Sequence, residues 1–173
     1  KKEYNDYYLN KNGKGVDSIG FYPLLENAVS EYDLIVETKS CALNFKDLMV
    51  NLDVVSENNI GYESSGTVIK SKVNDFRPGD NVIVLRNGSG MGISNKIYCK
   101  KEECYLKPDN LTYSQACSII IIFCTVYICL VDRARIKKGD NVLIHSATGG
   151  IGQAAISICN MVGANVLATA GTE

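Results

Sequence analysis

Seven cysteines stand in this chain without a single C-x-x-C pair among them: Cys41, Cys99, Cys104, Cys117, Cys124, Cys129 and Cys159. Zinc knuckles and ribbons need close pairs to bring four ligands into a tetrahedron. The five-residue spacings Cys99/Cys104 and Cys124/Cys129 fit neither. An odd count, mostly within apolar runs, predicts buried free thiols and a reducing, cytoplasmic setting. Clustered basic residues are also missing. Lys and Arg number 18 against 19 Asp and Glu, a net charge of −1, which argues against nucleic acid or an anionic membrane as partner. No apolar run reaches the roughly twenty residues of a membrane span. The longest, Ala116 to Val131, is interrupted by Ser118 and Thr125 and closed by Asp132-Arg133; it reads as a buried helix. The start, Lys1-Lys2-Glu3-Tyr4-Asn5-Asp6, lacks the apolar core of a signal peptide. There is no internal repeat.

What is present suits a soluble globular protein of 173 residues, 46% hydrophobic and 21% charged, enough for one domain or one and a half. Residues 1–17 are polar and tyrosine-rich and are expected to be a linker. Short strand-like pieces follow at Ile19 to Tyr22, Asp33 to Thr38, Gly61 to Ile69, Asn81 to Leu85, Ile97 to Cys99 and Glu103 to Leu106. Turns such as Arg77-Pro78-Gly79-Asp80 separate them, the pattern of a small β-barrel or sandwich. Near Pro108 the pattern changes. Thr112 with Gln115 is a capping-box signature, and a helical segment is expected to run on to about Ala134. The expected domains are therefore 18–112, β-rich, and 113–173, α/β.

The last third carries the sharpest signal. Val142 to Ile144 reads as a buried strand. It ends in Ala147-Thr148-Gly149-Gly150-Ile151-Gly152, and a helix follows to Val162, stopped by Gly163. A second strand, Val166 to Thr169, completes a βαβ unit. A tight glycine turn between strand and helix lets the backbone approach a pyrophosphate, and the helix N-terminus presents free N–H groups to it. Ala147 holds the place of the first glycine of G-x-G-x-x-G, Gly149 the second and Gly152 the third. Binding of a dinucleotide through Ala147, Thr148, Gly149, Gly150, Ile151 and Gly152 is expected. Sites for NAD usually carry an acid about twenty residues past the first glycine, to bind the ribose 2′-OH. Ala168-Thr169-Ala170-Gly171-Thr172 offers none before Glu173, which favours NADPH. His145, the only histidine, lies within the strand and is expected to be structural.

Five motifs occur in order: Ala42-Leu43-Asn44-Phe45-Lys46-Asp47, Gly61-Tyr62-Glu63-Ser64-Ser65-Gly66, Arg77-Pro78-Gly79-Asp80-Asn81-Val82, Phe123-Cys124-Thr125-Val126-Tyr127, and Leu130-Val131-Asp132-Arg133-Ala134-Arg135 running on into the glycine turn. Together they resemble the zinc-free medium-chain dehydrogenase/reductases, and more closely the enoyl reductase domain of polyketide synthases and animal fatty acid synthases. The resemblance covers about residues 18 to 173. It implies a GroES-like β-barrel domain followed by the first part of a Rossmann α/β domain, with an active-site cleft between the two.

The implied activity is NADPH-dependent reduction of the 2,3 double bond of a 2-enoyl thioester on an acyl carrier protein. Neighbouring synthase domains would be partners, and a homodimer through the synthase is possible. Zinc-dependent relatives place a cysteine at the Asn44 position and a histidine at the Tyr62 position; neither is here, so no metal is implied. The family pattern puts Asn44 and Phe45 in the cleft near the nicotinamide, and Thr125 and Tyr127 close to the cofactor. Other readings stay open: Asn44 as the cap of a short helix over Phe45 to Val50, and Tyr127 as a core aromatic. Phe45, lacking a hydroxyl, cannot donate a proton; in the family the proposed proton donors lie beyond residue 173. The chain is accordingly expected to be a piece of a longer synthase, inactive alone. The alternatives are a free-standing quinone-oxidoreductase-like enzyme and a vestigial, non-catalytic module. Departures from the pattern are Ile120 for a common proline, Ile128 for a common tyrosine, and the loop Asn87 to Gly92.

Overall fold

Leu34, Val36, Val68, Val82, Val84 and Ile97 alternate with residues that face the other way, and all six are buried in one cluster with Phe76, Cys99 and Cys104. That two-residue period is what makes the first unit a curved antiparallel sheet. The computed structural model describes residues 6–24, 31–57, 59–86 and 92–171. It divides into two units, 1–118 and 119–173.

In the first unit, strands β1 (Tyr7–Lys11) and β2 (Ile19–Pro23) form a hairpin. Strand β3 (Leu34–Ala42) leads to helix α1 (Phe45–Asn51), then to β4 (Glu63–Ser71), β5 (Asn81–Leu85), β6 (Lys96–Cys99) and β7 (Cys104–Leu106). The sheet order is β6-β3-β4-β5-β7, antiparallel throughout. β6 and β7 are its two outer strands, yet they follow each other in sequence through the 3-10 turn Lys101–Glu103. Cys99 and Cys104 bring them together, with their sulfurs 3.2 Å apart. Arg86 bonds the same corner, donating to the Tyr98 carbonyl at 2.8 Å and to Glu103 at 3.0 Å. Gly66 is required where β4 crosses β3: a Cβ there would sit 2.1 Å from the Glu37 carbonyl oxygen.

Residues 7 to 17, expected as part of a linker, are instead built into this unit. The alternation in Tyr7–Lys11 pairs with Ile19–Pro23, and the hairpin binds across the chain through Leu9 N–H to the Ile93 carbonyl at 2.7 Å. Tyr8 and Leu24 pack with Ile35 and Tyr98, covering the outer face of β3. Polar composition hid this, because tyrosine supplies apolar ring area with a polar tip.

The second unit holds α3 (Ile120–Tyr127), reached through the short α2 (Tyr113–Ala116) of the first, then β8 (Asn141–Ile144), α4 (Gly150–Val162) and β9 (Asn165–Ala168). Strands β8 and β9 pair in parallel, with α4 as their crossover. Its core is Val126, Ile144, Ala147, Ala154, Ala155, Ile158, Cys159 and Ala164. Gly163 stops α4 with φ 83°, the left-handed conformation glycine adopts without cost.

The segment from Ala116 to Val131 departs from the expected continuous buried helix. It breaks between α2 and α3 and turns π-helical over Ile128–Arg133. By length and composition alone Tyr113–Arg133 could cross a membrane, and only 17% of its most apolar window is buried. Val126 is its buried residue within α3, while Ile122, Phe123, Leu130 and Val131 pack half-buried against the α4 core. Ile120, the proline departure, is the first residue of α3. Proline is favoured at that position because it needs no N–H there. Asn87 to Met91 of the unusual loop, together with Glu173, lie outside the described residues.

Candidate functional site

The glycine turn carries the clearest geometry. Helix α4 begins at Gly150, and no side chain caps it. Gln153 is the first of its amides to donate into the helix, to the Gly149 carbonyl at 2.9 Å. The amides of Gly150, Ile151 and Gly152 are thus left at the positive end of a 13-residue helix. Adding a Cβ separates the glycines by purpose. At Gly152 it would lie 2.5 Å from Ala147 Cα and 2.7 Å from the Ala147 carbonyl atoms, so this glycine lets the helix touch the turn. At Gly149 and Gly150 the nearest atoms are 3.5 and 3.8 Å away, and Gly149 has φ −76°. Neither packing nor backbone angle demands glycine at those two positions. What their bare backbone leaves is open space above the helix end, a cradle of the kind a pyrophosphate needs.

Ala147 is buried beneath the turn, whereas Thr148, Gly149, Gly150 and Ile151 are exposed. The residue that takes the left-handed conformation is Ser146, φ 53°, and the sequence reading passed over it. Serine tolerates that region poorly; the Ser146 carbonyl accepts from Gly149 N–H at 3.1 Å and closes the turn. His145 is exposed, and its Nδ1 lies 3.1 Å from Thr169 Oγ1. That contact ties the ends of β8 and β9.

Thr125 shares a cavity of about 190 Å³ with Ile151 and with Val126, Leu143 and Ala155. One residue of the fourth motif is thereby brought to the glycine turn. Tyr127 is not. It is 46% exposed and opens on a separate apolar cavity of about 430 Å³, with Phe123, Ile128, Ile158 and Met161. The exposed ring also departs from the core-aromatic reading of Tyr127.

In the first unit Asn44 stands at the N-cap of α1 with β-region angles. Asn44 and Asp47 form a capping box: Asp47 accepts from Asn44 N–H at 2.6 Å, and the Asn44 side chain stands against Asp47 N–H without a full hydrogen bond there. Asn44 Nδ2 donates to Glu63 Oε1 at 3.1 Å. Asp47 also accepts from Gly61 N–H at 2.5 Å. Two buried carboxylates therefore join the start of α1 to the start of β4. Phe45 is 75% exposed, and Leu43 beside it is exposed as well. Sequence reasoning did not single out Asp47 or Glu63. The Asn-x-x-Asp spacing of a capping box was the visible signal for the first. For the second it was a carboxylate set among small residues at the start of a strand.

Tyr62, where zinc-dependent relatives carry a histidine, is buried and spoken for. Its hydroxyl donates to Glu57 Oε2 at 2.6 Å. Lys46 Nζ lies 2.7 Å from Glu57 Oε1 and 4.4 Å from the centre of the Tyr62 ring. Burial first, and then the bond to Glu57, push the Tyr62 hydroxyl well above the ordinary phenol range. Hydrogen bonds from Lys46, and then from Tyr62, hold the Glu57 carboxyl below the usual carboxylate range. Among the described residues no three His, Cys, Asp or Glu side chains converge as a metal site would require.

Four cysteines are buried as expected: Cys99, Cys104, Cys117 and Cys159. Cys41 is half-buried, and Cys124 and Cys129 are exposed on α3 and the π-helical turn. All seven are free thiols. Hydrogen bonding to Cys104, reinforced by burial, drives the Cys99 thiol far above its ordinary value.

No family model matches the chain. A highly reducing polyketide synthase of Penicillium soppii, pspA, is 37% identical over 156 residues, which is 86% of this chain and 6% of that protein. The solved CurK enoyl reductase superposes with a TM-score of 0.86 at 28% identity, covering 96% of this chain and 54% of that one. A quinone oxidoreductase of Escherichia coli, solved with NADPH, shares the fold with a TM-score of 0.81 at 21% identity, over 96% of this chain and 53% of that one. The chain thus spans about half of these solved enzymes and a small part of the synthase. The antiparallel sheet of the first unit and the βαβ unit of the second are the GroES-like and Rossmann parts of their fold. In sequence the chain is thus related to highly reducing polyketide synthases, and in fold to the enoyl reductases of the medium-chain dehydrogenase/reductase superfamily.

Proposed function

We propose that this chain contributes to NADPH-dependent reduction of the 2,3 double bond of a 2-enoyl thioester held on an acyl carrier protein. The observation that carries the reading is the cradle at Gly149 and Gly150, whose glycines answer no internal need of the fold. The first-turn amides of α4 receive the pyrophosphate, helped by the exposed hydroxyl of Thr148. Thr125, which shares a cavity with Ile151, flanks the same end. Tyr127 lines a different cavity and serves the cofactor only at a distance from the turn. The small residues Ala168, Thr169, Ala170 and Gly171 after β9 put no carboxylate beside the ribose, which leaves room for a 2′-phosphate.

Asn44 and Phe45 serve the nicotinamide end. When bound, NADPH supplies the hydride that the β-carbon of the enoyl thioester accepts. Phe45 offers an apolar wall and has no proton to give, so the α-carbon must be protonated by another group. Tyr62, locked to Glu57 and held in its neutral form, is a poor acid for that step. The polyketide synthase relatives support a setting among neighbouring synthase domains; a substrate delivered on a carrier, a homodimer formed through the synthase and a cytoplasmic location complete the proposal.

NADPH fluorescence titration of this chain, followed by NADPH oxidation with a crotonyl thioester in the synthase that contains it, tests the proposal. Saturable binding and thioester-dependent oxidation are the expected results. Oxidation driven by a free quinone but not by the thioester would reassign the activity. No binding by either protein would leave a vestigial module.

A further inference from the structure

We propose that Glu63 is a positioning residue that fixes which way the Asn44 amide faces. The inference rests on the reading of Asn44 as a nicotinamide contact. Glu63 is 1% exposed, among the most deeply buried side chains of the first unit. Its Oε1 meets Asn44 Nδ2 at 3.1 Å. An ionised carboxylate only accepts hydrogen bonds, whereas an amide has one face that donates and one that accepts. Paired with a carboxylate, the amide must turn its NH2 inward and its Oδ1 outward. Asparagine alone would rotate between the two orientations at little cost.

Backbone restraint completes the arrangement. Asp47 accepts from Asn44 N–H at 2.6 Å and from Gly61 N–H at 2.5 Å. The Asn44 main chain is thereby fixed to the turn that precedes Glu63. Asp47 sets where Asn44 stands, and Glu63 sets which atom it presents. The presented Oδ1 is an acceptor, with the second N–H of the amide beside it. A planar carboxamide, the substituent of a nicotinamide ring, is the complementary partner, having one donor and one acceptor side by side. In the reverse orientation the same amide would turn both of its N–H donors outward and keep its acceptor inside.

Glu63→Gln keeps the volume and removes the constraint, because glutamine can either accept or donate. The Asn44 side-chain amide signals, assigned with Asn44→Ala, give a readout that needs no cofactor. In the unsubstituted chain they are expected as one displaced pair, and in Glu63→Gln as a pair averaged toward ordinary asparagine. NADPH titration gives the second readout. Glu63→Gln should weaken binding about threefold to tenfold, Asn44→Ala by tenfold or more, and the double variant no more than Asn44→Ala alone. Losses that multiply in the double variant, or amide signals unchanged in Glu63→Gln, would overturn the proposal. If the unsubstituted chain binds no NADPH, the nicotinamide reading of Asn44 fails, and the amide signals alone decide whether Glu63 orients it. Glu63→Leu, a second variant that cannot accept, should give the same amide averaging if it folds.

Discussion

Gly150→Ala and Gly152→Ala, two residues apart on one helix, should behave in opposite ways. At Gly152 the new Cβ would meet three backbone atoms of Ala147 at 2.5 to 2.7 Å. Backbone cannot rotate aside as a side chain can, so turn and helix must separate. Overpacking of this kind costs about 1–3 kcal/mol, and replacing glycine in a helix recovers at most about 1 kcal/mol. A net loss of about 1–2 kcal/mol is expected in the second unit. At Gly150 the nearest atoms are Ile122 carbons at 3.8 Å or beyond, which is ordinary contact, so stability should hold or rise by up to about 1 kcal/mol. Cofactor binding should reverse this order of severity. A methyl over the helix end occupies the space assigned to the pyrophosphate, and a tenfold loss of NADPH affinity corresponds to about 1.4 kcal/mol. Denaturant unfolding followed by circular dichroism reads the first effect, and fluorescence titration of NADPH the second. A folded Gly150→Ala protein that binds NADPH as tightly as the parent would refute the assignment of that open space.

Other outcomes follow from single contacts. Leu34→Ala, emptying a fully buried position of the first-unit core, should cost about 2–5 kcal/mol, read as a lower denaturant midpoint at unchanged slope. Asp53 is held below the usual carboxylate range, first by its hydrogen bond from Lys11. Its contribution is therefore present above the ordinary carboxylate pKa and is lost as pH falls through the lowered value. Lys11→Met should move the Asp53 midpoint upward in a carbon-13 titration; an unmoved midpoint would reject the coupling. Iodoacetamide should label Cys124 and Cys129 first, with Cys99, Cys104, Cys117 and Cys159 protected until unfolding. Mass mapping of a short reaction reads the order, and early labelling of Cys99 would contradict the packing at the meeting of β6 and β7.

Strand positions were legible where apolar residues alternated between turn signals. Asn81 to Leu85 and the strands near residues 97 and 142 lie within one or two residues of the expected places, and β3 starts where expected but runs four residues past Thr38, to Ala42. Helix α4 was legible because glycine marks both its ends. Of the N-terminal hairpin, β2 was legible at Ile19 to Tyr22 but β1 was not, since the apolar area of β1 comes largely from tyrosines that composition counts with a polar segment. Continuity from Ala116 to Val131 was over-read: a uniformly apolar run has no period to mark where a helix breaks. At the glycine turn the motif located the cradle but not its left-handed residue, because nothing local announces a serine at positive φ. Glu63 escaped notice because its meaning depends on Asn44, nineteen residues away, and only the fold brings that pair together.

Lys11 adds a consequence of its own. From the N-terminal hairpin, its ammonium reaches the Val50 carbonyl at 2.5 Å and pairs with Asp53, so the far end of α1 is fastened as firmly as the end held by Asp47. A seven-residue helix pinned at both tips behaves as a strut and does not swing as a flap. If the chain acts on acyl groups as proposed, adjustment to their bulk falls to the rotamers of Leu43 and Phe45, the exposed side chains at its near end. Swapping those two for smaller or larger residues should retune chain preference while leaving the backbone of α1 where it is.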